Sequence, residues 1–191
     1  MSDRARRSRS ALPDVLPGAV CVLDTETTGL GRDARIVEIA VIALVDGEIQ
    51  SEWSTLVDPE THIPREVVRI HGITDRMVRG APTANVALTM LRRKIVDNVV
   101  VAHNASFDLR MLAQDCERTG QPAPIASVDG RVLCTMRLAR RAFPEVGGYG
   151  LARLVSALEI SARPAHRAIA DARATAELYE RIRQRWSERL P

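Results

Sequence analysis

Apolar residues along this chain fall into two patterns: short unbroken runs, and longer stretches with helical spacing. Ala19-Val20-Cys21-Val22-Leu23 is continuously apolar, as in a strand buried on both faces, and it carries Asp24 and Glu26 at its C-terminal end. Ile36 to Val45 is rich in β-branched residues, and Asp46-Gly47 then supplies a hairpin turn into Glu48 to Val57. These three runs predict an antiparallel meander. A loop bearing Pro59 and Pro64 leads to the turn His71-Gly72-Ile73-Thr74-Asp75, where Thr74 or Asp75 is placed to cap a short helix. Val86, Leu88, Met90, Leu91, Ile95 and Val96 recur at helical spacing up to a break at Asp97-Asn98. Val99 to Ala102 reads as a second buried strand ending at His103-Asn104, and a helix from about Ala105 to Thr119 is closed by Gly120. After a turn over Ser127 to Gly130 come a short strand around Val132-Leu133-Cys134, a helix from Thr135 to Ala142 stopped by Pro144, and a joint at Gly147-Gly148. Leu151 to Leu158 and Ala168 to Arg189 are the last two helices expected. Strands mixed with helices predict an α/β fold, and no repeat, heptad or linker divides it.

Composition narrows the class. A chain of 191 residues with 46% hydrophobic content is long enough for one domain with a proper core. A formal net charge of +3 permits a polyanionic partner without demanding one. Cys21, Cys116 and Cys134 are odd in number and lack C-x-x-C spacing, which suits reduced thiols in a cytoplasmic protein rather than a disulfide or zinc framework. No apolar run approaches the roughly 20 residues that span a bilayer, so no membrane partner is expected. The basic segment Met1 to Ser10 is not followed by an apolar stretch of signal-peptide length, so residues 1–17 are expected to be a flexible tail before a single domain over 18–191.

Candidate chemistry lies in three separated clusters: Asp24-Thr25-Glu26-Thr27-Thr28-Gly29, His103-Asn104-Ala105-Ser106-Phe107-Asp108, and His166 with Asp171 five residues later. Residues i and i+2 of a strand share a face, so Asp24 and Glu26 stand together at a strand end, the usual ligand edge of an α/β sheet. Gly29 lets backbone approach a ligand closely, and Leu30 is either an apolar residue at the exposed rim or a core residue. Asp108 falls in the first turn of a helix, where the dipole favours a carboxylate with or without a metal. Five helical residues turn the chain by about 500°, so His166 and Asp171 share no face of one regular helix. His166 therefore belongs on the loop before the helix, after Pro164. Carboxylates gathered from distant segments repel one another unless a cation neutralises them. Hard cations such as Mg²⁺ and Mn²⁺ take oxygen ligands, and a histidine beside them is a ready general base for phosphodiester hydrolysis.

D-x-E-T-T-G, H-N-A-x-F-D and H-R-A-x-x-D, in this order and spacing, resemble the three motifs of the DEDDh branch of the DEDD 3′→5′ exonucleases, the branch that includes the proofreading epsilon subunits of bacterial replicative polymerases. The resemblance spans about residues 19–180, and Ile70-His71-Gly72-Ile73-Thr74 also resembles a loop of that family. The tyrosine branch carries Tyr four residues before the last Asp, where this chain has Arg167. In many relatives an Asp-Thr pair stands where this chain has Cys134-Thr135.

The resemblance implies a ribonuclease H-like fold, a five-stranded mixed sheet flanked by helices. It implies two divalent ions, Mg²⁺ or Mn²⁺, held by Asp24, Glu26, Asp108 and Asp171, with His166 as general base. Thr27, Thr28, Leu30, His71, Asn104 and Phe107 are the residues expected to hold the terminal nucleotide. The substrate expected is the 3′ end of DNA, single-stranded or frayed, with release of nucleoside 5′-monophosphates in proofreading or repair and a DNA polymerase as a possible partner. A 3′→5′ exoribonuclease of the RNase T type is the alternative. Those relatives stack bases on several phenylalanines, whereas this chain has only Phe107 and Phe143. A non-catalytic polymerase-associated module is the rival from another class, and the full set of four carboxylates with His166 argues against it.

Overall fold

The computed structural model describes residues 12–125 and 131–188. In chain order these form β1 (Ala19–Thr27), β2 (Ile36–Val45), β3 (Glu48–Leu56), α1 (Arg65–His71), α2 (Asp75–Val78), α3 (Ala84–Ile95), β4 (Val100–Ala102), α4 (Ser106–Thr119), β5 (Val132–Cys134), α5 (Thr135–Ala142), a 3-10 turn (Pro144–Val146), α6 (Leu151–Ala157) and α7 (Ala168–Ser187). The strands make one five-stranded sheet in the order β3-β2-β1-β4-β5. The β1–β2 and β2–β3 pairs are antiparallel, and the β1–β4 and β4–β5 pairs are parallel. This is the mixed sheet that the ribonuclease H-like resemblance implies.

The unbroken apolar run of β1 has a direct cause, because its alternate residues feed two separate cores. Val20 and Val22 join Ala40, Ile42, Leu44 and Val101 beneath α5, α6 and α7. Cys21 and Leu23 join Ile39, Val41 and Val100 beneath α3 and α4. Even-numbered β1 residues therefore face α7, and odd-numbered ones face α4. On α7 the small residues Ala168, Ala172 and Ala176 are buried, with Tyr179 and Ile182 further along. Small side chains let a helix of 20 residues lie close to the sheet.

The sequence reading and the structure differ at three places. Residues after Pro64 form the short helix α1 rather than extended loop, closed by Gly72 in the left-handed conformation. Its seven residues bury only His71, so no apolar periodicity announces it. Asp75 does not cap its own helix: its carboxylate accepts from the Ile63 N–H at 2.8 Å and lies 2.6 Å from His62 Nδ1, pinning the loop ahead of α1. Residues 12–17 are fastened to α7, with Leu16 in the core, the Tyr179 hydroxyl donating to the Pro17 carbonyl (2.8 Å) and Trp186 Nε1 donating to the Asp14 carbonyl (3.1 Å). The expected flexible tail thus meets the described residues only where the chain is anchored, and the expected Ser127–Gly130 turn lies outside them.

Candidate active site

Strand alternation sets the layout of the acidic cluster. Asp24 and Glu26 point to the α7 side of β1, where Asp171 sits in the first turn of α7. One carboxylate oxygen from each of Asp24, Glu26 and Asp171 lies within 4.8 Å of the others. All three residues are half-buried. Burial is the main cause that raises the Asp24 carboxyl well above the usual carboxylate range, followed by the charges of Asp108, Asp171, Glu26 and Glu38. Glu26 is pushed up to about 8, first by burial and then by Asp171 and Glu38. Three carboxylates held this close, with such high proton affinity, fit a divalent cation: it would supply the missing positive charge and accept hard oxygen ligands.

Asp108 stands apart from the three. Thr25, the residue between Asp24 and Glu26, points to the other face of β1, and its hydroxyl donates to Asp108 Oδ1 at 2.8 Å. Asp108 lies in the first turn of α4 and is 2% exposed. Burial pushes it up to about 7, and the Thr25 hydroxyl works in the opposite direction. The fourth carboxylate thus reaches the strand end from the α4 side and still contributes charge to Asp24.

His166 lies on the loop ahead of α7, as its lack of a shared helix face with Asp171 requires, with a left-handed φ of 50° and an exposed side chain. Asp171 folds that loop around itself. Its Oδ1 accepts from the Ala165 N–H at 2.8 Å, and the His166 and Arg167 amides also lower its proton affinity against the stronger effect of burial. The imidazole therefore stands beside the cluster, on a loop that one of the cluster's own carboxylates organises.

The remaining candidates line the β1 end and the start of α4. Leu30 is 76% exposed, so of the two readings its side chain adopts the rim position. Thr27 Oγ1 donates to the Gly29 carbonyl at 2.7 Å, and Thr28 Oγ1 accepts from the Arg35 N–H at 3.0 Å. Both hydroxyls thus shape the loop, and each retains one unused role, accepting for Thr27 and donating for Thr28. His71 is 5% exposed. Its Nδ1 accepts from the Ile73 N–H (3.0 Å), which leaves the proton on Nε2 to donate to the Thr27 carbonyl (3.3 Å). Its side chain therefore props the Thr27 backbone from beneath. Asn104 is exposed with φ 58°, its Oδ1 accepting from the Ser106 hydroxyl. Phe107 is half-buried, with the Arg110 guanidinium 5.5 Å from its ring centroid.

Three polar residues escaped the sequence reading. Glu38 is 3% exposed near the start of β2, and Asp115 is 1% exposed on α4, where its Oδ2 accepts from the Ile36 N–H at 3.0 Å. The third is Thr25. A charge inside an apolar run such as Ile36-Val37-Glu38-Ile39-Ala40 is the available signal, since a fully buried carboxylate needs a partner. Thr135, beside Cys134 where many relatives begin with Asp-Thr, is fully buried and hydrogen-bonds His103 Nδ1 at 2.9 Å.

The Exonuclease family model matches residues 21–179, the span that holds every one of these residues. The chain belongs to the exonuclease family. Among its relatives, a putative bifunctional exonuclease/endonuclease protein of Mycobacterium tuberculosis is 41% identical over 176 residues, 86% of this chain but only 26% of that protein. The DNA polymerase III subunit epsilon of Aquifex aeolicus is 30% identical over 171 residues, covering 88% of this chain and 82% of the subunit. The solved structure of Exonuclease X in complex with 5′ overhanging duplex DNA superposes with a TM-score of 0.68 at 33% identity, covering 86% of this chain and 91% of that chain. The exonuclease fold, with its mixed sheet and flanking helices, is common to both. No helix among the described residues is long and apolar enough to cross a membrane.

Proposed function

We propose that this exonuclease is a metal-dependent 3′→5′ enzyme that removes nucleoside 5′-monophosphates from single-stranded or frayed 3′ ends of DNA. The observation that carries the reading is the convergence of Asp24, Glu26 and Asp171 within 4.8 Å beside the His166 loop. Asp24, Glu26 and Asp171 would hold one divalent ion, and Asp108, with Asp24, would support a second; Mg²⁺ and Mn²⁺ suit such all-oxygen ligands. When bound, these ions would stabilise negative charge on the attacking and leaving oxygens of the phosphodiester.

The chain's own groups do the rest. His166 takes the proton of the attacking water, for which an exposed imidazole on the cluster's edge is suitably placed. Leu30 wedges against the terminal base, and the Thr27 and Thr28 hydroxyls use their free accepting and donating capacity on the terminal sugar and phosphate. His71 acts on the nucleotide through the Thr27 carbonyl it props. Asn104 and Phe107 flank the path of the strand at the start of α4. Contacts of this kind are indifferent to sequence, as trimming any strand requires. The wedge reading also favours unpaired ends, because unstacking a paired base costs a few kcal/mol.

The likeness to a polymerase III epsilon subunit supports proofreading or repair beside a DNA polymerase as the setting. Cys21 and Cys116 are buried and all three cysteines are free, which fits a reducing cytoplasm. The decisive experiment compares labelled single-stranded DNA, duplex DNA, RNA and closed circular single-stranded DNA with Mg²⁺ or Mn²⁺. The reading expects 5′-monophosphate products, a sharp slowing when the 3′-hydroxyl carries a phosphate, and no degradation of circles. Circles degraded as fast as linear strands would mark an endonuclease. Faster turnover of RNA than DNA would mark the exoribonuclease alternative.

A further inference from the structure

Glu38 is a buried carboxylate for which the proposed chemistry has no use. It sits directly opposite Glu26 in the β1–β2 ladder, so it shares the face on which the acidic cluster stands. Like charges across a ladder repel, and a spare carboxylate here would compete for the cation. Instead, it is fully engaged elsewhere. Glu38 accepts from Arg167 Nε at 3.0 Å and from the other arm of the fork, Nη2, at 2.7 Å, and also from the Ala168 N–H at 2.9 Å. Ala168 is the first residue of α7, so Glu38 satisfies one of that helix's orphan amides from β2, on the face that α7 covers.

These contacts bracket His166. On its N-terminal side the Ala165 N–H is held by Asp171, and on its C-terminal side both the side chain of Arg167 and the amide of Ala168 are held by Glu38. His166 itself is kept at a left-handed φ of 50°, a conformation that persists only where the surroundings impose it. We infer that Glu38, through its forked pair with Arg167, is a positioning residue that aims the His166 imidazole at the reacting water. The inference rests on the reading of His166 as general base. Glu38 touches neither substrate nor ion in this arrangement; it fixes the backbone from which the imidazole projects.

Glu38→Gln tests this with little change of shape. Glutamine can still accept from Ala168 but turns an amide donor toward one arm of the guanidinium. Arg167→Lys, at a side chain 39% exposed, is the second variant: it keeps the charge and loses the fork. Well below their melting temperatures, both variants should lose about 10–100-fold in kcat, the range seen when a supporting contact behind a catalytic group is removed, with KM unchanged. Mn²⁺ affinity by calorimetry should stay as in the parent, and the Ala168 amide should exchange faster with deuterium in Glu38→Gln. His166→Ala should itself cost about 10²–10⁴-fold. Adding Glu38→Gln to it should cost little more, because the two residues act on one step. Full kcat in both Glu38→Gln and Arg167→Lys, beside a crippled His166→Ala, overturns the inference alone. A matching drop in Mn²⁺ affinity, or a further additive loss in the double variant, also overturns it. Full activity in His166→Ala overturns the general-base reading itself.

Discussion

At the scale of single residues the acidic cluster stores repulsion that protonation or a bound cation relieves. Asp24 shows it most, with burial and four neighbouring carboxylates all raising its proton affinity. Asp24→Asn removes one charge and leaves the shape. Turnover is expected to vanish, while the melting temperature in chelator stays level or rises, and the rise that Mn²⁺ gives the parent disappears. Assays with thermal melts with and without Mn²⁺ read all three, and near-normal turnover would remove Asp24 from the ligand set. The cluster's members were legible in the sequence because D-x-E on a strand and a histidine off the helix face are local geometry. Glu38 was not, since its partner lies 129 residues away in Arg167.

Two elements meet the site from opposite faces of β1, and a threonine plays a different part in each. Thr25 ties β1 to α4 through Asp108, so Thr25→Val leaves a buried carboxylate without its closest side-chain donor. Mn²⁺ affinity should fall by about 10-fold or more, as for other lost contacts behind a ligand, with circular dichroism unchanged. Unaltered affinity by calorimetry would mean Asp108 needs no support from β1. Thr175 is the opposite case. It is fully buried in α7, and its hydroxyl has no hydrogen-bond partner among the described residues. A buried unsatisfied polar group costs about 1–3 kcal/mol, so Thr175→Val should stabilise the protein, by about 1 kcal/mol in urea unfolding. Destabilisation there would reveal a partner for the hydroxyl. The long elements were readable from periodicity, whereas α1 was hidden because a seven-residue helix with one buried residue has no apolar stripe.

For the whole molecule the cluster sets how stability changes with pH. Glu26 and Asp108 have folded proton affinities raised from 4.5 to about 8 and from 3.8 to about 7. The folded state therefore binds more protons than the unfolded one between these limits. Their stabilising contribution is complete below about pH 4 and is lost as pH rises through about 7 to 8. Glu52 and Glu177, lowered by Arg173 and by hydrogen bonds from Ser161 and Ala162, act in the other direction and lose their contribution only on acidification below the ordinary carboxylate range. In chelator the melting temperature is thus expected to fall between about pH 5.5 and about pH 8.5, and Mn²⁺ should flatten or reverse that fall. A melting temperature that climbs across this range without metal would contradict the repulsion argument.

Local pattern alone determined the mixed strand-and-helix order, the pairing of Asp24 with Glu26 on one face, and the placement of His166 ahead of α7 rather than on it. Each of these follows from the repeat of a strand or helix, which neighbouring residues carry between them. The tertiary structure decided which carboxylates share a space. Asp171 joins Asp24 and Glu26 because α7 packs on the even-numbered face of β1, while Asp108 comes with α4 from the odd-numbered face and is held by Thr25. It also decided that Glu38 faces Arg167 and that His71 supports Thr27 from beneath. Such contacts join segments tens of residues apart, so they depend on sheet register and helix placement, which periodicity does not encode.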